Sequence, residues 1–295
     1  MWVGVTRRFS RFDSELALTQ DQLDDGLTKQ FGVRQSLERS YYGSSSESPP
    51  GFIVGSWAKG TQTRPPKDID IFFVLPADDY HRFNNYVGNG QSALLQEVKG
   101  CLSETYPQTD MRGDGQVVQV KFNTLMVEVV PAFRTTDEFT YLIPDTHEGG
   151  RWKNSSPEFE SAVIGHQDNE TNGNVRSLCR MMKTWKRHFN VPLKSFQIEL
   201  LVKEFLENYE YRLKDYFYFD WFVRDFFRYL IGRGGTYLWV PGIRDSIPLG
   251  NSWLGRAQTA FDIALTACKY EYDDLTVSAG LEWQKLFGTK IPAAL

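Results

Sequence analysis

The spacing of apolar residues divides the chain into an alternating front section and a helical back section. Between residues 51 and 130 lie four short apolar runs: Phe52-Ile53-Val54, Asp68 to Leu75, Gln116 to Lys121 and Met126 to Val130. Glycine or proline stands beside most of them, which predicts strands joined by turns. Pro76 and Pro131 are expected to end the second and fourth, because proline cannot donate to a sheet ladder. Gly113-Asp114-Gly115 predicts the turn before the third. The apolar end of the second run predicts burial on both faces. Tyr80 to Leu102 is expected to be mostly helix, with Leu94, Leu95, Val98 and Leu102 inward and Gly88 and Gly90 interrupting it. Thr19 to Tyr42 predicts a helix bracing the sheet, with an imperfect stripe of Leu23, Leu27, Phe31, Gln35 and Leu37. Gly43 to Pro50 is a polar loop. Met1 to Phe12 is mixed and aromatic and yields no assignment.

Beyond residue 150 the pattern turns helical. Phe133 to Gly150 is a connector containing Tyr141-Leu142-Ile143-Pro144. Ser156-Pro157-Glu158 predicts a helix start, with Ser as N-cap and Pro at the first helical position. Asn174 to Phe189 carries the stripe Val175, Leu178, Met182, Trp185 and Phe189. Its other side holds Arg176, Arg180, Lys183 and Arg187, of which Arg176 and Arg187 read as solvated. Ser195 to Tyr209 is the next helix, with Lys194 and Ser195 at its head, where unpaired N–H groups can meet phosphate. Tyr209 to Leu230 mixes aromatic and basic residues, as a base-stacking surface does. The helical spacing of Phe219, Phe222, Val223, Phe226, Phe227 and Leu230 favours core packing instead. Gly232 to Gly235 breaks the helix, Tyr237 to Val240 reads as a short strand, and Pro241 to Pro248 as a loop carrying Asp245. Leu254 to Tyr270 is helical through Ala257, Phe261, Ala264, Leu265 and Cys268, and a short helix with Leu281, Leu286 and Phe287 ends the chain. The whole reads as an α+β protein of two packed lobes.

Composition narrows the function more than the fold. In 295 residues, 41% are hydrophobic and 15% aromatic, which suits a folded globular protein. A formal net charge of −4 disfavours a stable long nucleic-acid partner and fits free nucleotides better. Cys101, Cys179 and Cys268 are scattered and read as reduced core residues of a cytoplasmic protein. The start of the chain has no basic-then-apolar leader, and no run is long enough to span a membrane. The histidines, His81, His147, His166 and His188, have no zinc spacing and suggest no hydrolase triad.

The chemistry concentrates between Gly55 and Phe73 and at Glu128. Gly55-Ser56 follows a strand and opens a tight turn, with Ser56 placed to cap a short helix whose free N–H groups can cradle phosphate. Asp68-Ile69-Asp70-Ile71 alternates at period two, so on a strand both carboxylates share one face, roughly 6.6 Å apart. Two carboxylates that close repel unless cations sit between them. Two magnesium ions, with manganese as a substitute, would relieve that repulsion and clamp a nucleotide triphosphate. Glu128 is a lone charge between Val127 and Val129: either a solvent-facing edge residue or a third metal ligand able to take a proton. There is no Walker loop, dinucleotide fingerprint or protein-kinase set.

Gly55-Ser56, Gly60-Thr61 and Asp68-x-Asp70 together resemble the signature of the polymerase-beta-like nucleotidyltransferase superfamily. Its third carboxylate, usually Asp, is here Glu128. Arg180 to Lys186 (R-M-M-K-T-W-K), Leu193 to Leu201 (L-K-S-F-Q-I-E-L-L) and Val127 to Phe133 narrow the resemblance to the cGAS/DncV-like nucleotidyltransferases (CD-NTases) of bacterial antiphage signalling. So does Asp245 to Trp253, which resembles D-P-x-x-P-x-N-N with Ser246 and Ser252 departing from it. The resemblance implies a mixed-sheet nucleotidyltransferase lobe facing a mostly helical C-terminal lobe. It places an N-terminal helical brace at 1–50, the catalytic core at 51–150 and the helical lobe at 151–295. It implies that nucleoside triphosphates, as donor and acceptor, are joined into a cyclic di- or trinucleotide with release of pyrophosphate. The product would act on a separate effector, and the family allows an accessory regulatory protein. Gly55 and Ser56 would hold donor phosphates, Asp68 and Asp70 two magnesium ions, and Glu128 the catalytic one. Lys183 matches the lysine that reaches the triphosphate, and Ser195 the serine at the partner helix head. The alternatives are an RNA-tailing or linear-oligonucleotide enzyme, a protein-modifying nucleotidyltransferase and a non-catalytic nucleotide sensor. Arg151 and Trp152 are candidates to border a base pocket, with a buried core tryptophan the equal alternative.

Overall fold

The computed structural model describes residues 2, 4–137, 139–243 and 245–295. A mixed sheet forms the front of the molecule. Its strands are β1 (Phe52–Val54), β2 (Asp68–Val74), β3 (Asp110–Asp114), β4 (Val117–Lys121), β5 (Met126–Arg134), β6 (Tyr141–Asp145) and β7 (Arg151–Ser155). The order is β1-β2-β5-β4-β3, with β6 on the far end of β5 and β7 on β6. β2 and β5 run parallel, and the other neighbours are antiparallel. The alternation of β2 and β5 sets the register. Ile69, Ile71, Phe73, Val127 and Val129 go into the core, and the carboxylates of the same strands go to the other face. That core is closed by α2 (Gln20–Tyr42) and α5 (Gly90–Thr105) through Val33, Leu37, Leu94, Leu95, Val98 and Leu102. The short helix α3 (Gly55–Lys59) lies between β1 and β2, and α4 (Ala77–Asn84) between β2 and α5.

Several elements depart from the sequence expectations. Met1 to Phe12, left unassigned, belongs largely to helix α1 (Val5–Leu16), whose Val5, Phe9, Phe12 and Leu16 are buried in the helical lobe. Residues 1–50 thus serve both lobes, since only α2 braces the sheet. α2 is capped by a Thr19–Gln22 capping box. Its buried face is Gly26, Gln30, Val33, Ser36, Leu37 and Glu38, so the leucine-led stripe largely misses it, and Leu27 is exposed. Tyr80 to Leu102 is two helices, as Gly88 and Gly90 foretold. Gly113 and Asp114 are not the turn; they lie in β3, which pairs with β4. Pro131 does not end β5. It faces Phe73 in the parallel pair, and on the other edge β4 has ended at Val129 while β6 starts at Phe133. The connector holds strands β6 and most of the turn to β7, and Pro241 to Pro248 contains strand β9 (Asp245–Pro248), paired with β8 (Tyr237–Val240).

The second lobe is built from α6 (Pro157–Asn169), α7 (Asn174–His188), α8 (Ser195–Glu207), α9 (Phe219–Ile231), α10 (Leu254–Tyr272) and α11 (Thr276–Phe287), joined by α1. Ser156 precedes α6 but makes no side-chain cap; its hydroxyl donates to the Phe139 carbonyl. The aromatic stretch packs as core: Phe219, Phe222, Phe226 and Phe227 are all buried. Arg8 ties α1 to the far end of the chain. It donates to Glu271 at 2.7 Å and to the Thr276 carbonyl at 2.6 Å, with both charges fully enclosed. Among the described residues no helix is long and apolar enough to cross a membrane.

One buried acid in this lobe makes stability depend on pH. Asp220 is 1% exposed, one carboxylate oxygen accepts only from the Trp221 amide, and the other has no partner. Burial raises its pKa to about 7, with Glu271 adding and Arg224 opposing. A raised carboxyl pKa favours the folded state at low pH, and that contribution is lost as pH climbs from about 4 to about 7. Asp220→Asn should therefore flatten the fall in stability between pH 5 and pH 8. At pH 8 it should stabilise the protein by on the order of 2 kcal/mol, read by urea denaturation at both pH values.

Candidate active site

The site is set by a row across the sheet. Asp70 on β2 stands opposite Glu128 on β5, which stands opposite Gln119 on β4. Partners in register point to the same face, and Asp68 lies two residues before Asp70 on that face. Glu128 is therefore part of a central carboxylate cluster, not an edge residue. Gln119, which the sequence reading left without a role, donates to Glu128 Oε1 at 2.9 Å and fixes the longer side chain. Only the pairing of β4 with β5 reveals that contact. Burial raises the Asp70 pKa to about 8, reinforced by the charges of Asp68 and Glu128. Glu128 is raised by burial too, with Gln119 pulling it back.

Gly55 brings the turn that opens α3 against this row. Its φ is +63°, and a Cβ there would lie 2.1 Å from Asp70 Oδ2. Only glycine takes that conformation and that approach. Ser56 lies inside the first turn of α3, not at its cap; Val54 is the N-cap. The Ser56 carbonyl accepts from the Thr61 amide at 2.9 Å, which closes the turn. Trp57 Nε1 donates to the Asp68 carbonyl at 2.8 Å, anchoring the turn to β2.

Helices α6, α7 and α8 supply the opposite wall. Glu199 on α8 is 2% exposed and sits at the centre of a buried charge network. It accepts from Lys59 Nζ at 3.0 Å, from Lys183 Nζ and from the Thr61 hydroxyl. Lys59 also donates to Glu160 at 3.1 Å. Burial alone would raise the Glu199 pKa, but the charges of Lys183 and Lys59 overcome it and hold the carboxylate down at about 2. Lys183 reaches the site, yet its ammonium is committed to Glu199 and to the Thr61 carbonyl at 3.0 Å. Arg180 is committed as well, to Asp13 at 2.8 Å. Arg176 bonds the Lys59 carbonyl at 2.8 Å, so it is not simply solvated. Arg187 lines the cavity between the lobes.

A cavity of about 470 Å³ lies between the lobes, bounded by Gly55, Ser56, Asp68, Asp70, Lys183 and Ser195 among others. A second cavity, about 720 Å³, opens on the other side of Glu128 and is walled by Gln119, Asp145, Arg151 and Lys153. Lys194 lines both. The structure thus brings together all seven residues expected at the site, with Glu128 on the second cavity's wall. Arg151 borders that cavity and pairs with the buried Asp145 at 3.1 Å. Trp152 does not: it packs between Tyr80 and Phe133, and its Nε1 donates to Asn84. The Asp245 motif lies apart and serves the fold. Trp253 there is buried, its Nε1 bonded to the Leu249 carbonyl. Among the described residues no three His, Cys, Asp or Glu side chains are grouped closely enough to hold a metal ion between them.

A mixed sheet with a glycine turn beside aligned carboxylates, facing a helical lobe, matches the architecture of a polymerase-beta-like nucleotidyltransferase. The chain belongs to the family of the Second Messenger Oligonucleotide or Dinucleotide Synthetase domain, whose model matches residues 3–167. It is a cGAS/DncV-like nucleotidyltransferase, of the class that makes cyclic oligonucleotide second messengers in antiphage defence. A probable cyclic nucleotide synthase of Bacillus cereus (strain VD146) is 24% identical over 277 residues, 81% of either chain. The CBASS oligonucleotide cyclase CdnC of Escherichia coli (strain KTE188) is 26% identical over 164 residues, 52% of this chain and half of that one. In fold, the chain is similar to DncV cyclic AMP-GMP synthase of Vibrio cholerae, solved with the linear intermediate 5′ pppA(3′,5′)pG. There the TM-score is 0.74 at 13% identity, over 98% of this chain and 96% of that one.

Two substitutions test the geometry. Gly55→Ala should push the turn off Asp70 and cut turnover by at least about a hundredfold while the protein still melts cooperatively. Glu199→Gln should leave Lys59 and Lys183 buried with their shared partner neutralised. A loss on the order of 3 kcal/mol is expected in urea denaturation.

Proposed function

We propose that the chain joins nucleoside triphosphates into a cyclic di- or trinucleotide, with release of pyrophosphate, and that the product signals infection to a separate effector in the cytoplasm. The observation that carries this reading is the alignment of Asp70 with Glu128 beside the Gly55 turn, at the boundary of two cavities. The smaller cavity, with the turn and Ser195, takes the donor triphosphate, and Lys183 adds its charge from the wall. The larger one takes the acceptor. Both volumes suit nucleotide-sized ligands. An accessory regulatory protein fits the same scheme.

The acids fit divalent magnesium. Burial and the charges of Asp68 and Glu128 raise the Asp70 pKa to about 8, so a cation beside it would be favoured. An open set of carboxylates is what magnesium takes, since water and phosphate oxygens fill its remaining positions. Asp68 and Asp70 would hold two ions, with Glu128 on the catalytic one; manganese could replace them. Bound there, the ions lower the pKa of the attacking hydroxyl and neutralise the leaving group. The chain's own groups do the rest. A ribose hydroxyl oxygen attacks the donor α-phosphorus, the bond to the β-phosphate oxygen breaks, and pyrophosphate leaves. Glu128, oriented by Gln119, accepts the hydroxyl proton. The first product then shifts so that its remaining hydroxyl meets its own α-phosphate.

With all four labelled triphosphates and magnesium, the protein should yield a phosphatase-resistant product of two or three nucleotides, identified by mass spectrometry. A phosphatase-sensitive ladder would overturn cyclisation, and labelled protein would favour the protein-modifying alternative. Asp68→Asn or Asp70→Asn should reduce product by at least about a hundredfold without loss of fold. Glu128→Gln should slow turnover by about 10²-fold or more and leave nucleotide affinity near that of the parent.

A further inference from the structure

Lys59, Gly60 and Thr61 follow one another at the end of α3, where backbone carbonyls have no partner inside the helix. Three cations of α7 donate to them in order. Arg176 Nε meets the Lys59 carbonyl at 2.8 Å, Arg180 the Gly60 carbonyl at 3.2 Å, and Lys183 Nζ the Thr61 carbonyl at 3.0 Å. The donors stand at i, i+4 and i+7, one stripe along the helix. Each is also tied to a carboxylate of the helical lobe: Arg176 to Asp168 at 3.1 Å, Arg180 to Asp13 at 2.8 Å, and Lys183 to Glu199. Those acids come from α6, α1 and α8. Asp13 also accepts from Ser177 and from Tyr216, each at 2.8 Å, so Arg180 stands on a fixed base. Gly60 makes room for Arg176. Its φ is +70°, and a Cβ there would lie 2.7 Å from Arg176 Nε.

Lys183 lines the cavity between the lobes, but Arg176 and Arg180 do not. They wall a separate cavity, together with Asp13, Asp168 and Tyr216. Any part they take in the reaction therefore runs through the backbone they hold. We propose that Arg176 and Arg180 are positioning residues for nucleotidyl transfer: by bridging acids of the helical lobe to the Lys59 and Gly60 carbonyls, they fix the depth of the α3 turn, and with it the approach of Gly55 to Asp70. The inference rests on the nucleotidyltransferase reading and adds to it two residues that touch no nucleotide. The turn is short enough to move as one piece, since the Thr61 amide donates to the Ser56 carbonyl at 2.9 Å and ties its two ends. A hydrogen bond from a charged donor is about twice as strong as a neutral one, so two of them hold the turn firmly. A shift of about 1 Å in a reacting group is enough to slow a step about a hundredfold.

Steady-state pyrophosphate release, nucleotide titration, melting curves and amide hydrogen exchange of residues 55–61 would be compared for the parent, Arg176→Met, Arg176→Lys and Arg180→Met. The Arg176 side chain is 39% exposed, so its loss should leave melting close to that of the parent. Arg176→Met should lower kcat at least about tenfold and keep nucleotide affinity within about threefold of the parent. Exchange at Gly60 and Thr61 should quicken while the core of β2 and β5 keeps its protection. Arg176→Lys should recover most of the lost kcat, because it keeps a charge and a donor where methionine keeps only length. Arg180→Met should act in the same way with a lower melting midpoint, since Asp13 then loses its charge partner. Turnover of either methionine variant within about twofold of the parent would overturn the assignment. Equal losses in Arg176→Met and Arg176→Lys would also overturn it, by marking a packing role. So would a fall in nucleotide affinity as large as the fall in kcat, which would put the arginine in the binding site. A parent protein that makes no oligonucleotide, with a turn that still exchanges faster in Arg176→Met, would refute the proposed function and leave the clamp on the turn standing.

Discussion

Two carboxylates that burial and neighbouring charge push toward the neutral form, Asp70 and Glu128, held opposite each other on adjacent strands, are the constraint around which the molecule is arranged. Asp70 and Glu128 are opposed by the parallel pairing of β2 and β5, and neither strand can slip to relieve them. A shift of one residue would turn Ile69, Ile71, Val127 and Val129 out of the core and the acids into it. The apolar face of the sheet therefore enforces the electrostatic tension on the other face. Gly55 adds to it by closing against Asp70 where any side chain would collide. A site under such tension favours ligands that bring cations with them, as nucleoside triphosphates do.

Glu199 answers a second problem, the joining of two lobes around a polar cleft. A cleft for a charged substrate offers little apolar surface to hold its walls together. Here one buried carboxylate draws Lys59 and Thr61 from beneath the phosphate turn and Lys183 from α7, and Glu160 on α6 takes the second contact of Lys59. A buried charge network like this stabilises little relative to an apolar substitute but is costly to break halfway. It specifies a single arrangement of turn and helices.

Much of this was legible in the sequence where the pattern is local. The Asp68-Ile69-Asp70 alternation announced one face for both aspartates through period two, and the stripes of α7 and α9 announced theirs through helical spacing; Glu128 stayed open between an edge and a ligand, because only the pairing of β2 with β5 places it. What stayed hidden depends on distant partners. α1 carries Val5, Phe9, Phe12 and Leu16 at helical spacing, but Arg8 and Asp13 share its buried side. Their partners, Glu271 and Arg180, lie more than 160 residues away. The stripe of α2 misled because its buried face includes Gln30, Ser36 and Glu38, whose partners no periodicity displays. Pro131 misled because a strand can change neighbours along its length: it falls where β4 has stopped and β6 has not begun. Which of these cations are paired was likewise invisible, since α7 presents Arg176, Arg180, Lys183 and Arg187 as one basic face.

The overall charge of −4 and the charge of the cleft thus carry different information. The smaller cavity gathers six cations against Asp68, Asp70 and Glu199, so it is a locally positive chamber in an acidic protein. Its volume, about 470 Å³, is of the size small-molecule sites have. The larger cavity lies on the far side of Glu128, with Lys194 reaching into both. A triphosphate-sized anion entering the cleft meets this local excess of positive charge, and the acidic balance of the rest of the surface bears on it little, since screening confines each charge to its own neighbourhood.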